Sequence, residues 1–523
     1  MKGREAVRRI GIDFGTCNIK GAEKKKNGAF APLKLGKVVD KKHIPNVILY
    51  EEKEEKEEGV GCLLGKTALI KVAEENDRIR FIKRHLQEKD WKRELSFGKT
   101  VAVRDVTLDI MRCLYQAIRE TSKEDDISTV ITVPVNFSRR QSLIVRQAAE
   151  QAGFAVNSVI TEPFAAFFFL MQEYLDDDEE RHVLIFDLGG GTMDACLVSV
   201  TDSKQGRLIQ TQAAAGISYG GNNVNEGIIN KILSVKAPEI VRSILKAPPS
   251  PQIRRSNFYK LMEAIDDAKE ELFSDDERDL EESAEVSVTP IGDSVKFIPL
   301  SGAEVYAMLD EERWESRIEK LLDRLFADSA DLVPEDVTDI FVIGGTSSIP
   351  YFREKISGYF RKRRSGDTDA LYEKNEGIDA EERIYHSVAL GAAIYQDLLG
   401  ENRFVIRDRI PFVIYTKDAK GRVRTRLTAN DCWKEYSTPY AALSALDDAE
   451  SVSVYQSLYA EEEEKEVYLG RFRLSEETKR DASLYRLAVD RDREIRIDYG
   501  AVPTGSDVGT VPIVGHDTLK IEL

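Results

Sequence analysis

Two stretches of this chain repeat one local pattern. Arg9–Ala22 reads RIGIDFGTCNIKGA, and Val183–Val200 reads VLIFDLGGGTMDACLVSV. In each, apolar residues make a strand, an acid ends it (Asp13, Asp187), glycine and threonine turn the chain, and apolar residues resume. Glycine lets the backbone approach a ligand and adopt positive φ. Successive N–H groups in such a turn form a concave anion site. The acids beside the turns, Asp13, Asp187 and Asp194, have the wrong sign for phosphate alone. They suit a magnesium ion placed between carboxylate and phosphate, mostly through water. One such turn reads equally well as a glycine-rich hairpin with incidental acids. Two copies at the heads of successive halves point to two related lobes, each giving one phosphate hairpin and one carboxylate.

A chain of 523 residues exceeds a single core, so two or more domains are expected. Its 42% hydrophobic and 32% charged content is that of a soluble globular protein. Asp plus Glu is 92 against 75 Lys plus Arg, a net charge of −17, which argues against nucleic acid or an anionic membrane as partner. The five cysteines (Cys17, Cys62, Cys113, Cys196, Cys432) show no CxxC spacing, so neither a zinc site nor a disulfide framework is expected. The N-terminus MKGREAVRRIGIDFG lacks the apolar core of an export signal. The longest apolar cluster, Phe164–Met171, is too short to cross a bilayer. A cytoplasmic protein is expected.

Along the chain, Glu51–Glu58 reads as a solvated hairpin tip, and Lys83 in RIRFIKRHL reads on its own as a snorkelling surface lysine. Ser138–Gly153 reads as a helix with glycine past its end. Glu162, before a proline, reads as a loop-edge acid that can face a cleft. Pro238–Pro251, with four prolines, reads as a loop or subdomain edge. Leu261–Phe273 is an amphipathic helix, and Val388–Ala393 is a small-residue helix whose glycine permits close approach. Beyond Gly400 short strands dominate, at Phe412–Thr416, Arg422–Thr428, Ser451–Tyr459, Val467–Leu474, Leu484–Val489 and Glu494–Tyr499. The tail Ala501–Gly515 reads as irregular, with a last strand at Thr518–Leu523. Such spacing suggests a β-sandwich.

Six motifs follow in one order: GIDFGT at Gly11–Thr16, VPVNF at Val133–Phe137, TEPFAA at Thr161–Ala166, FDLGGGTMD at Phe186–Asp194, GGNN at Gly220–Asn223 and VIGGTSSIP at Val342–Pro350. Together they resemble the nucleotide-binding domain of the seventy-kilodalton heat-shock (DnaK-type) chaperones, within the actin-like ATPase superfamily. SVSVYQ, YLGRFRL and LAVDRDREIRI, between Ser451 and Ile497, are similar to that family's peptide-binding β-sandwich. The resemblance implies an α/β actin-like ATPase fold over residues 1–400, with two lobes built as ribonuclease-H-like repeats. It further implies a linker at 401–410 and an all-β sandwich at 411–523. No helical lid is expected after the sandwich.

The resemblance also assigns roles. Asp13 and Asp187 match the carboxylates that hold hydrated magnesium. Gly15, Thr16, Cys17 and Gly189, Gly190, Gly191, Thr192 match the two phosphate hairpins. Lys83 matches the lysine that positions the attacking water, and Glu162 and Asp194 match the acids of the same site. Gly220, Gly221, Asp266, Lys269, Gly344, Gly345 and Thr346 match the remaining nucleotide contacts. The implied cofactors are ATP and magnesium. The implied partners are unfolded or extended polypeptide segments, J-domain co-chaperones and nucleotide-exchange co-chaperones. Phosphoryl transfer of this kind depends on positioning and charge neutralisation. Two departures concern the adenine: Glu270 and Ser348 stand where the family has arginines. A third is Asp418, near the place of an apolar arch residue over the peptide. The leading reading is an ATP-dependent chaperone. The competing one is a nucleotide-switched protein dedicated to one partner. A sugar or acid kinase is disfavoured by the C-terminal strands.

Overall fold

The computed structural model describes residues 7–39, 43–52, 61–121, 126–203, 206–246, 250–273, 279–289, 294–329, 332–375, 378–399, 404–407, 413–417, 422–427, 441–442, 451–459, 464–473, 484–489, 495–500 and 513–518. Asp418, Cys432 and most of Glu51–Glu58 therefore lie outside the described residues.

Two large mixed sheets carry the first four-fifths of the chain. The first is built from β1 (Arg8–Phe14), β2 (Asn18–Lys24), β3 (Phe30–Pro32), β4 (Ile127–Val133) and β5 (Ala155–Thr161), in the order β5-β4-β1-β2-β3, with the short strand Ile44–Pro45 also paired to β2. The second is built from β6 (Arg181–Leu188), β7 (Met193–Ser203), β8 (Gly206–Ile217), β9 (Asp339–Ile343) and β10 (Phe404–Arg407), in the order β9-β6-β7-β8-β10. The sheets repeat one plan. β1 runs antiparallel to β2 and parallel to β4, and β6 runs antiparallel to β7 and parallel to β9. β6 reads as an apolar run because it is central and both its faces are covered.

Each sheet has its own core, and a third core joins them. Ile10, Ile12, Phe14 and Ile131 pack with the helix Val103–Arg119 on one side. Leu184, Phe186, Leu197 and Ile340 pack with Trp314, Leu322 and Phe352 on the other. Between them lie α1 (Glu162–Leu170) and α2 (Ser387–Leu398), the second buried along nearly its whole length. Glycine makes this approach feasible. A Cβ on Gly391 would stand 1.8 Å from the Ala165 carbonyl oxygen, and one on Gly11 would stand 2.3 Å from that of Ala389. Replacing Gly391 by alanine should therefore force the helices apart. The expected loss is about 1–3 kcal/mol or more, as for overpacked cores generally. Scanning calorimetry would read it, and an unchanged melting temperature would show that α2 can shift freely.

Local chemistry sets most boundaries. The helix Arg139–Ala152 starts at a capping box in which Ser138 Oγ accepts from Gln141 N and Gln141 Oε1 accepts from Ser138 N, and it stops at Gly153 with φ of +113°. Three sequence expectations change. Glu162 belongs to the first turn of α1, because Pro163 suits a helix start as well as it ends a strand. Pro238–Leu245 is a helix, not a loop. Its proline sits in the first turn, and Val241 and Ile244 fill the second core. A strand runs Ile513–Thr518, beginning inside the stretch read as irregular, while all but the first residue of the expected strand Thr518–Leu523 lies outside the described residues. Its β-branched Ile513 pairs at Gly500, where the register shifts to admit Gly515 opposite Tyr499.

Among the described residues the C-terminal strands form two four-stranded sheets. One is Val423–Leu427, Val413–Lys417, Ser451–Tyr459 and Glu464–Arg473. The other is Ala441–Ala442, Leu484–Val489, Ile495–Gly500 and Ile513–Thr518. Alternate residues Val452 and Val454 face inward with Leu487, Ile495 and Ile497, and Thr416 Oγ1 meets the Tyr485 hydroxyl at 3.2 Å between the sheets. This unit touches the first part of the chain. Arg139 N donates to Gln456 Oε1 at 2.8 Å, and the Lys89 ammonium lies 5.8 Å from the Tyr468 ring centre. The apolar segment that precedes it is β10. It pairs parallel with β8 from Arg207 to Gln210 and buries Phe404 in the core between the sheets.

Cysteine spacing gave no sign that Cys62 and Cys113 meet. Their sulfurs are 2.9 Å apart, because the strand Gly61–Leu64 packs on the helix Val103–Arg119 there.

Candidate functional site

The two hairpins face each other across a cleft of about 420 Å³. A Cβ on Gly190 would stand 2.5 Å from Cys17 Sγ, and one on Gly191 would stand 2.8 Å from Thr16 Oγ1. Only glycine lets the turns come this close. The second turn is held from behind: Gly189 N donates to Thr192 O, Gly221 N to Gly189 O, Asn222 N to Gly190 O, and Thr346 Oγ1 to Gly189 O, all between 2.8 and 3.1 Å. The first is held by Asn46 Nδ2 donating to Gly15 O at 2.8 Å. The predicted residues Gly15, Thr16, Cys17, Gly189, Gly190, Gly191, Thr192, Gly221, Gly344, Gly345 and Thr346 all line this cleft, with Asp13, Glu162 and Asp187 at its base. Burial pushes the Cys17 thiol up to about 11, so it stays a neutral hydrogen-bond donor, 3.6 Å from Asn222 Oδ1.

Lys83, Asp194 and Gly220 stand one layer behind the wall. Lys83 is 3% exposed, far from the surface residue its local sequence suggests. Its ammonium donates to Glu162 Oε1 at 2.5 Å and lies between the rings of Phe14 and Phe137. Asp194 is fully buried opposite Asp187 in the β6–β7 register, and its Oδ1 accepts from Val135 N at 3.0 Å. Gly220 closes on the second hairpin, where a Cβ would stand 2.7 Å from Gly189 O.

The base of the cleft is crowded with buried carboxyl groups. Burial, then Glu162 and Asp13, push Asp187 up to about 8. Burial raises Glu162 against the opposing pull of Lys83, and burial raises Asp194 further. Carboxylates held this way favour a cation nearby. Among the described residues no three His, Cys, Asp or Glu side chains converge to chelate a metal directly. Asp13 and Asp187 offer the oxygen donors that suit a hard divalent ion such as magnesium.

Away from the hairpins, α3 (Pro251–Leu272) supplies the other wall. Asp266 Oδ1 takes hydrogen bonds from Lys269 Nζ at 2.8 Å and Asn225 Nδ2 at 2.9 Å. Glu270 and Ser348 line the cleft as their sequence positions suggest, and Ser348 Oγ donates to Gly345 O at 2.9 Å.

Sequence reasoning missed the residues that cross the cleft mouth. Arg80 stacks 4.9 Å over Tyr259 and donates to Glu263 Oε1 at 2.7 Å, while Phe81, at φ of +55°, meets Tyr259 edge-on at 5.7 Å. It missed Lys20 too. The β1–β2 register sets Lys20 opposite Asp13, and its ammonium lies 3.2 Å from Asp13 Oδ2. Counting outward from the Gly15–Cys17 turn would have found that pair.

Comparison with known proteins decides the family. The profile of the Hsp70 protein family matches residues 63–491. The chain belongs to the Hsp70 family. It is 24% identical over 426 residues to the chaperone protein DnaK of Thermoplasma volcanium, covering 80% of this chain and 63% of that protein. The chain thus spans less than two thirds of that relative's length. Hsp70 membership implies an actin-like ATPase fold with a β-sandwich domain, and the α/β architecture agrees with it. Members of the Hsp70 family are ATPases that bind ATP with magnesium. Among the described residues no helix is long and apolar enough to cross a membrane.

Proposed function

We propose that this chain is an ATP-dependent chaperone that hydrolyses magnesium-ATP in the cleft between the two sheets and uses the cycle to bind and release extended polypeptide segments. The observation that carries this reading is the meeting of two glycine hairpins over Asp13 and Asp187, with the Lys83–Glu162 pair directly behind. In this reading residues 1–400 are the ATPase part, 401–410 the linker and 411–523 the polypeptide-binding part. Backbone N–H groups of Gly189–Thr192 and Gly15–Cys17 cradle the phosphates. Asp13 and Asp187 hold magnesium through its waters. Magnesium supplies neutralisation of phosphate charge when bound. Lys83 orients the attacking water, and Glu162 fixes Lys83. Asp266 and Lys269 serve the sugar end.

β10 supports coupling between the two activities. It is a strand of the ATPase sheet and the segment leading into the β unit, so a shift of β8 moves both. The sandwich presents paired strands to which an extended segment can add. The test is magnesium-ATP turnover with and without unfolded peptides. Acceleration by peptides of varied sequence supports the chaperone. Acceleration by one native protein and by no peptide would replace it with a dedicated switch.

A further inference from the structure

The meeting of Cys62 and Cys113 belongs to a joint that serves the cleft. The strands Val47–Glu51, Gly61–Leu64 and Arg78–Arg80 form a small antiparallel sheet. Its Ile48, Tyr50, Leu64 and Ile79 pack in the first core with Met111 and Leu114 of the helix Val103–Arg119. Two polar contacts cross that packing. The Tyr50 hydroxyl donates to Asp109 Oδ2 at 3.1 Å. Cys62, opposite Tyr50 in the sheet register, meets Cys113, one helical turn beyond Asp109, with 2.9 Å between the sulfurs. The same small sheet carries residues that reach the cleft. Asn46, just before its strand Val47–Glu51, holds Gly15 O, and Arg80 lies over Tyr259 at the mouth. Both cysteines are half-buried, so a small reagent can reach the pair from solvent. Sulfurs this close need less than about 1 Å of travel to bond.

We propose that Cys62 and Cys113 form a dithiol site that closes to a disulfide by exchange with a small-molecule disulfide, and that the bond clamps the small sheet to the helix. Cys62 gives its proton to water, and its thiolate attacks one sulfur of the small disulfide. The other half leaves as a thiolate and takes a proton from water. Cys113 then attacks the Cys62 sulfur of the mixed disulfide and passes its own proton to the second departing thiolate. The protein loses two protons and two electrons, and the small disulfide becomes two thiols. Cys113 comes second because its hydrogen bond with Cys62 and its burial hold its proton. The consequence for the cleft rests on the nucleotide reading above. Arg80 must part from Tyr259 and Glu263 for the mouth to open, and a sheet clamped to its helix yields less.

The test treats the unchanged protein, Cys62→Ser and Cys113→Ser with oxidised glutathione. Tryptic peptides are read by mass spectrometry, melting by calorimetry, and nucleotide release by a fluorescent magnesium-ADP analogue. In the unchanged protein the Cys62 and Cys113 peptides should be joined, two hydrogens lighter than their sum. The joined protein should melt at least about 3 °C higher, since the bond links residues 51 apart in the chain. It should release nucleotide at least about threefold more slowly. Dithiothreitol should reverse all three effects, and neither serine variant should show any. Glutathione left on either cysteine with no joined peptide overturns the proposal, as does a bond from either one to Cys17, Cys196 or Cys432. A joined protein that melts where the reduced one does overturns the clamp, and one that melts higher but releases nucleotide unchanged overturns its tie to the mouth. If the unchanged protein binds no magnesium nucleotide, the functional reading fails on its own, and peptide mass and melting still decide the dithiol site.

Discussion

Replacing Lys83 by methionine should lower magnesium-ATP turnover by about two to three orders of magnitude, the usual effect of losing one preorganised donor beside the reacting atoms. Nucleotide affinity should change by no more than a few fold, because the proposed phosphate cradle is the two hairpins and Lys83 stands behind them. Single-turnover hydrolysis and calorimetry separate the two effects. Stability is the confounding variable. Lys83 is the partner of a buried carboxylate, and removing one member of a buried pair commonly costs about 3–5 kcal/mol. Burial already favours the protonated form of Glu162, which softens that loss. The double variant Lys83→Met with Glu162→Gln removes the unpaired charge. It should melt near the unchanged protein and stay as slow as the single variant. Turnover retained in Lys83→Met would remove the residue from the mechanism.

The second large effect is a dependence of stability on pH. In the folded protein without nucleotide, Asp187 keeps its proton up to about pH 8. An unfolded aspartate releases it near pH 4. Between those values the folded state binds more protons than the unfolded one, so stability falls as pH rises from about 4 to about 8. Glu162 and Asp194 are raised in the same direction and add to the slope. Because Asp187 feels Glu162 and Asp13 directly, one proton is shared across the cluster, and the titration belongs to the group. Calorimetric melting should fall across this window. Asp187→Asn should flatten the slope and raise the melting temperature at pH 8 by at least about 3 °C. The same variant should lose magnesium-dependent nucleotide binding. Magnesium-ADP binding to the unchanged protein near pH 7 should release protons, visible as a dependence of the binding heat on the buffer. A pH-independent melting temperature would show that the carboxylates find partners that remove the excess charge.

What the sequence revealed follows the range over which each feature is encoded. The hairpins were legible because acid, glycine and threonine lie within a few residues of one another and their physics is local. Gly391 was legible because alanine and glycine at helical spacing leave no other use for so small a residue. Lys20 was not, since its meaning depends on a register that sets it opposite Asp13. Lys83 read as a surface lysine from its own neighbours and gained a site role only through the family resemblance, because its partner Glu162 lies far along the chain. Pro238 and Pro251 suggested a loop because proline marks a helix start and a chain break alike, and only the burial of Val241 and Ile244 separates the two cases. Nor could the sequence tell a free linker at Phe404–Arg407 from a strand, because the partner, Arg207–Gln210, is remote.

The seating of α2 has a consequence for how this protein is made. β1 leaves the ribosome well before α2, and the backbone that covers its Gly11 face belongs to Ala389 and its neighbours in α2. At ordinary rates of synthesis the nascent chain waits roughly 20 to 75 seconds between the two. β6 waits about half as long before β9 arrives, and β8 waits slightly longer than β6 for β10. Throughout that interval apolar strands stand with open edges, the condition that invites aggregation. A member of a family of protein-folding helpers is thus itself a slow, non-local folder during translation, and its yield in a cell should depend on what shelters its growing chain.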